Sequence, residues 1–332
     1  MTIRVLQFGT TGQLALELLA QAKEFDVEIT GLSRAEADFA DPQACAARVA
    51  ETPCDLVVLA AAYTAVDQAE AERDLALRVN ATTPSAIAAA AQAKGAAVAF
   101  VSTDYVFDGG KDVAYAESDP VSPVNAYGAT KLSGERGVLD ASPRALVVRT
   151  SWVVSSHGKN FVKTMLRLAG EGRAIRVVDD QFGRPTAARD LARFILSQAQ
   201  KLSSASAGDP AFGVVHFANA GVVSWKAFAE AIFDLALGAA APPVAGIPTA
   251  EYPTPARRPL RGVLDTGKLE RTFGVTPRPW RDAVAEIVAE LKLQRRPAAR
   301  DAASSWPGAP APGCIRLRSR SPNSSCQSTT SR

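Results

Sequence analysis

The chain has 332 residues, 47% hydrophobic and 21% charged, a composition that excludes collagen, coiled coil and wholesale disorder and fits about two domains or one large α/β domain with a lobe. The net charge of +3 comes from residues 296–332, where six Arg and one Asp contribute +5 and leave −2 for the rest, so no basic nucleic-acid surface is expected in the body. No apolar run approaches the ~20 residues of a membrane span, no leader-like start is evident, and Cys45, Cys54, Cys314 and Cys326 form no C-x-x-C pair, which together predict a cytoplasmic chain without zinc or a disulfide framework.

In chain order, Ile3–Gly9 reads as a buried strand meeting a glycine turn, followed by an apolar-periodic helix from about Gln13 to Lys23. Val27–Leu32, Leu56–Ala61, Ala96–Ser102 and Ala145–Thr150 are further short apolar runs separated by helix-like segments, which predicts a parallel sheet with chemistry just beyond the strand ends. After Thr150 the pattern loosens into a second lobe, with helices expected over 187–200 and 280–293 that return to pack on the first domain. From Arg296, Pro, Ser and Arg dominate, and a disordered basic tail is expected over 296–332.

Four groups of residues carry chemistry. Gly9-Thr10-Thr11-Gly12-Gln13-Leu14-Ala15 places two glycines between strand and helix, where backbone N–H groups can hold a pyrophosphate; the same pattern also serves ordinary β-α turns. The second strand ends at Ser33 and Arg34 with no acid to bind ribose hydroxyls, so a hydroxyl and a guanidinium are expected to receive a 2′-phosphate, which favours NADPH over NADH. Asp38 and Phe39 follow, within reach of an adenine. Tyr127 and Lys131 stand at i and i+4 on one helix face, where a nearby ammonium would lower the phenol pKa, and a hydroxyl of Ser102-Thr103-Asp104, after the fourth strand, would bond the same carbonyl that Tyr127 protonates. Arg184, Arg257 and Arg258 are candidate clamps for a nucleotide diphosphate. His157 and His216 are isolated, and His216 reads as a core residue.

Taken together, the glycine turn, Asn80, the run Ser102 to Gly109 and Tyr127-x-x-x-Lys131 resemble the extended short-chain dehydrogenase/reductase family over about residues 3–293. Further segments sharpen the likeness to reductases of a nucleotide-activated keto-sugar: Ala60 to Asp67, Arg149 to Trp152, Asn160 to Met165, Asp180 to Thr186 and Pro253 to Pro259.

The resemblance implies a Rossmann doubly wound parallel sheet with a smaller α/β substrate-binding lobe. Residues 1–150 would form the NAD(P)-binding domain, completed by segments near 187–215 and 262–293, and 151–186 with 216–261 the lobe. It implies NADPH-dependent reduction of a C4 ketone on a dTDP-activated deoxysugar, with NADH also open. Tyr127, Lys131 and Thr103 would be catalytic. Gly9, Gly12, Gln13, Leu14, Ser33, Arg34, Asp38, Phe39, Ala62, Tyr63, Thr64, Tyr127 and Lys131 would lie on the cofactor. Thr103, Asp104, Trp152, Arg184, Arg257 and Arg258 would meet the nucleotide-sugar, with the Trp152 indole offering it a flat face.

Some members hold Mg²⁺ at a homodimer interface; Glu17 and Glu290 match, but Arg189-Asp190 stands near the expected third carboxylate. A related epimerase and a non-catalytic regulatory subunit of methionine adenosyltransferase remain alternative readings. The latter would not require the Thr103, Tyr127 and Lys131 set.

Overall fold

The computed structural model describes residues 2–171 and 174–295, so the expected tail over 296–332 lies outside the described residues. Five strands form where the apolar runs predict them: β1 (Ile3–Phe8), β2 (Val27–Leu32), β3 (Leu56–Leu59), β4 (Ala97–Thr103) and β5 (Ala145–Thr150). With Gly213–His216 they make a six-stranded sheet in the order Gly213–His216, β5, β4, β3, β1, β2. Every pairing is parallel. A parallel sheet is covered on both faces, which explains why β3 and β5 are buried throughout and read as continuous apolar runs rather than alternating ones.

On one face, Leu14 and Leu18 of helix α1 (Gln13–Gln21) pack with Leu191, Phe194 and Ile195 of the helix Ala188–Ser197. Cys45, Val49, Ile87, Ala88, Ala91 and Val138 cover Phe8, Leu59, Phe100 and Val147 on the other. The helix expected over 187–200 therefore does return to the sheet, although it breaks at Gln198 before a short continuation over Ala199–Ser204. The helix Trp280–Arg295 differs from expectation. Its Val284, Ile287, Val288 and Leu291 join Met165, Phe228, Ile232 and Phe233 in a separate core, because its apolar stripe matches the helix Trp225–Leu237 rather than the sheet.

Parallel register sets the functional edge. Phe8 lies opposite both Leu32 and Leu59, and Thr103 lies opposite Thr150, so the strands finish together. Strand order reverses between β2 and β3 on either side of β1, which opens a crevice beyond the carboxyl ends at that point. No helix among the described residues is long and apolar enough to cross a membrane.

Candidate active site

The glycine turn opens this crevice. Gly9 has φ +93°, and a Cβ there would sit 3.1 Å from the Ala61 Cβ, so both the backbone angle and the neighbouring β3 loop require glycine. Gln7, wholly buried in β1, steadies the turn by donating to the Gly9 carbonyl at 2.8 Å and the Ala15 carbonyl at 3.2 Å. Gly12 caps α1 with no side-chain hydrogen bond and is exposed, leaving the first-turn N–H groups of a nine-residue helix facing the crevice. These features fit a dinucleotide pyrophosphate. The Gln13 side chain is used elsewhere: it accepts from Ser155 at 3.0 Å and Asn160 at 2.9 Å and donates to the Val153 carbonyl, tying α1 to the second lobe. Leu14 packs in the core, so both residues offer a cofactor only their backbone.

Beyond β2, Arg34 is exposed and pairs with Asp38 at 3.3 Å. Phe39 is buried against Phe8, with ring centroids 5.6 Å apart, which places its ring in the sheet core rather than beside an adenine. Ala62 and Thr64 are exposed beyond β3, and the Tyr63 backbone exchanges two hydrogen bonds with Asn80, at 2.9 and 3.1 Å. Asn80 also donates to Thr130 at 3.1 Å and so joins the β3 loop to the helix Ala126–Ala141.

That helix carries Tyr127 and Lys131. Asn125 caps it, accepting from the Gly128 N–H at 2.8 Å. A Cβ on Gly128 would lie 2.1 Å from the Tyr105 carbonyl oxygen, so glycine is what lets the helix approach the loop after β4. This approach sets Tyr127 edge-on to Tyr105, centroids 5.7 Å apart, and near enough to Thr103 to be influenced by its side chain. Thr103 in turn donates to Asp104 Oδ1 at 3.0 Å.

The electrostatics depart from the Tyr–Lys expectation. Tyr127 is partly exposed, yet the surrounding protein desolvates it and raises its pKa to about 12; Thr103 pulls it down and Asp104 pushes it up. Lys131 is engaged elsewhere. Its Nζ donates to the Val101 carbonyl at 2.8 Å and lies 3.9 Å from the centre of the Phe100 ring, and burial brings its own pKa down to about 7. Helical spacing put the two residues on one face, but the carbonyl and ring of β4 decide where the ammonium rests. Burial also lifts Asp104 to about 7 despite the Thr103 hydrogen bond, and its Oδ2 has no partner among the described residues. The site thus combines a phenol that keeps its proton at neutral pH with a hydroxyl beside it and a buried carboxyl behind.

Trp152 adopts φ +46°, a strained angle for a bulky residue. Its indole stacks on Trp225, centroids 3.5 Å apart, so one of its two faces is already covered. Arg184 is not a phosphate clamp. Its guanidinium is buried and donates to the Asn219 carbonyl at 2.8 Å and the Leu264 carbonyl at 2.6 Å. Arg258 is held by Asp67 at 3.0 Å, while the Arg257 side chain is exposed with no ion-pair partner among the described residues.

Sequence reading missed three residues. Asn125 was legible as a helix N-cap, Trp225 gave no local signal, and Arg261, 5.2 Å over the Phe182 ring with its Nε unpartnered, stands two residues past the run Pro253 to Pro259 that was read for Arg257 and Arg258. His216, buried in its strand, is pushed down to about 3 by burial and the neighbouring Arg149, and so is a neutral core residue.

The model of the RmlD substrate binding domain family matches residues 3–293. The chain belongs to this family. A dTDP-4-dehydrorhamnose reductase of Sinorhizobium fredii is 42% identical over 298 residues, spanning 89% of this chain and 100% of the relative. The Escherichia coli K12 reductase of the same name is 39% identical, spanning 87% and 98%. Among solved structures, the Bacillus anthracis dTDP-4-dehydrorhamnose reductase in complex with NADP has a TM-score of 0.81 at 34% identity, spanning 87% of this chain and 100% of that one. A Thermus thermophilus UDP-glucose 4-epimerase, 18% identical with TM-score 0.72, shares the fold.

Against the Mg²⁺ site expected from the RmlD family, the residues here do not fit. The Arg189 guanidinium stands among the carboxylates, with Nε 3.5 Å from Glu17, Nη1 3.9 Å from Glu286 and Nη2 paired with Glu290. Arg278 takes Asp190 at 2.8 Å, and His157 lies 3.5 Å from Glu17. Side-chain cations already pair with these carboxylates. Addition of EDTA or of Mg²⁺ is therefore expected to leave the thermal unfolding midpoint and the sedimentation coefficient unchanged, as scanning calorimetry and ultracentrifugation would measure.

Proposed function

We propose that the chain reduces the C4 ketone of dTDP-4-dehydro-β-L-rhamnose to dTDP-β-L-rhamnose with NADPH. The observation that carries this reading is Tyr127 near Thr103 at the carboxyl edge of the sheet, the edge that also bears the uncapped α1 turn, in a chain of the RmlD family. A nicotinamide cofactor supplies a hydride when bound. Gly9, Gly12 and the backbone N–H groups of Gln13 and Leu14 would hold its pyrophosphate, and Ser33 and Arg34 would meet its 2′-phosphate.

Tyr127, protonated at neutral pH, gives its proton to the oxygen that gains negative charge as C4 is reduced, a general-acid step. Thr103 would hydrogen-bond the same oxygen by turning its one hydroxyl hydrogen away from Asp104, to which it donates here. Lys131 would orient the cofactor ribose on leaving the Val101 carbonyl, to which it donates here. Trp152, backed by Trp225, gives the deoxysugar a rigid wall, and Arg257 and Arg258 face the diphosphate. In this reading residues 1–150 bind cofactor, completed by the returning strand and helix over 187–215, and the remaining lobe, with the Trp280–Arg295 helix in its core, binds the nucleotide-sugar. NADPH and nucleotide-sugars are cytoplasmic metabolites, which suits a cytoplasmic enzyme. The carboxylate cluster around Arg189 offers no metal bridge for a homodimer.

Loss of NADPH absorbance on adding dTDP-4-dehydro-β-L-rhamnose tests the assignment, and protein that binds NADPH but leaves this sugar unreduced would refute it. Arg184→Met separates structure from binding. Leaving two carbonyls without donors is expected to cost about 1–3 kcal/mol in urea denaturation, with the calorimetric affinity for dTDP unchanged.

A further inference from the structure

The turn after β2 contains an acid that its sequence position conceals. Ser33, the first residue past the strand, donates both its backbone N–H, at 2.9 Å, and its hydroxyl, at 2.6 Å, to Oε2 of Glu36. The spacing is that of a capping box, but residues 34–36 form a turn and the next helix begins only at Pro42, so no helix is capped. Glu36 is exposed, and its Oε1 accepts no hydrogen bond from the described residues. Arg34, the other residue read as a phosphate ligand, is paired with Asp38. Both donors expected to greet a 2′-phosphate are thus already engaged by carboxylates.

We propose that Glu36 is a specificity-determining residue that accepts the adenosine ribose hydroxyls of NADH and opposes the 2′-phosphate of NADPH. The carboxyl end of the second strand is where an acid meets the ribose in dinucleotide-binding sheets, and Ser33 holds the Glu36 carboxylate there from three residues downstream. The two Ser33 hydrogen bonds keep that carboxyl below the usual carboxylate range, so it remains charged at neutral pH. A dianionic 2′-phosphate must displace it or bear its repulsion, whereas a ribose hydroxyl can donate to the open Oε1. Ser33 and Arg34 then support NADPH only in so far as Glu36 releases Ser33, and the chain accepts both cofactors. This rests on the nicotinamide-cofactor reading above.

The test uses the full chain, with Glu36→Gln and Arg34→Ala variants and two adenosine-half probes, 2′,5′-ADP and 5′-AMP, titrated by calorimetry. In Glu36→Gln, 2′,5′-ADP is expected to bind roughly tenfold more tightly and 5′-AMP more weakly, and the ratio of kcat/KM for NADPH over NADH to rise by roughly tenfold or more, the scale of one hydrogen bond to a charged group. Arg34→Ala is expected to weaken 2′,5′-ADP alone. Equal weakening of both probes in Glu36→Gln would mean that the acid only shapes the turn, and unchanged affinities would mean that it faces no cofactor; either overturns the proposal while leaving the reductase reading intact. Failure of the unmutated chain to bind either probe or either dinucleotide would overturn both.

Discussion

Tyr127→Phe is expected to lower kcat roughly 100- to 10,000-fold while leaving NADPH affinity unchanged, as steady-state kinetics and fluorescence titration would show. The phenol hydroxyl keeps its proton throughout the neutral range and is near Thr103, so removing it takes away the proposed acid without disturbing the wall of the crevice. Phenylalanine retains the edge contact with Tyr105, which sits 5.7 Å away centroid to centroid, and the Asn125 cap and the Gly128 approach do not involve the hydroxyl. A variant that instead lost cofactor binding and kept kcat would assign Tyr127 a binding role.

Glu135→Gln is expected to destabilise the protein by about 3–5 kcal/mol, because it leaves a buried guanidinium without its counter-charge. Arg149 of β5 reaches Glu135 on the helix Ala126–Ala141 through three hydrogen bonds at 2.7 to 3.1 Å, and both side chains are at most 5% exposed. The pair fastens the helix carrying Tyr127 to the sheet. The loss should also depend on pH. Burial brings Lys131 down to about 7 in the folded chain while Glu135 props it up. Between pH 7 and the unfolded value of 10.5 the unfolded chain therefore holds a proton that the folded chain does not, and this group's contribution to stability rises with pH across that window. Below pH 7 the charged Lys131 also relies on Glu135, so the variant is expected to be more severely destabilised at pH 6 than at pH 9 in denaturant titrations. Equal losses at the two pH values would show that Glu135 and Lys131 are not coupled.

Much of the sheet was legible because each strand is a local apolar run and each helix a local period, and β2 and β5 begin and end where those runs do. The glycine turn was legible for the same reason: a positive φ at Gly9 and an uncapped helix start are properties of consecutive residues. What escaped is decided by partners far away in the chain. Arg184 reads as a phosphate ligand until carbonyls 35 and 80 residues downstream claim it. The Tyr127–Lys131 spacing is right, but the Val101 carbonyl, 30 residues upstream, determines where the ammonium lies. One face of Trp152 was already taken by Trp225. Glu36 was overlooked for the opposite reason. It is local, but it lies three residues beyond Ser33, past the strand end where an acid usually stands, and only the hydrogen bonds from Ser33 reveal that it reaches back.

In the proposed reaction hydride reaches C4 of the sugar directly while Tyr127 protonates the oxygen. This step is tested most directly by supplying NADPH deuterated at the transferable position, with dTDP-4-dehydro-β-L-rhamnose, and locating the label by NMR. One deuterium is expected on C4 of dTDP-β-L-rhamnose and none elsewhere on the ring, with label transfer all but lost in Tyr127→Phe. Deuterium at another carbon, or a reduced sugar bearing only solvent hydrogen at C4, would contradict it.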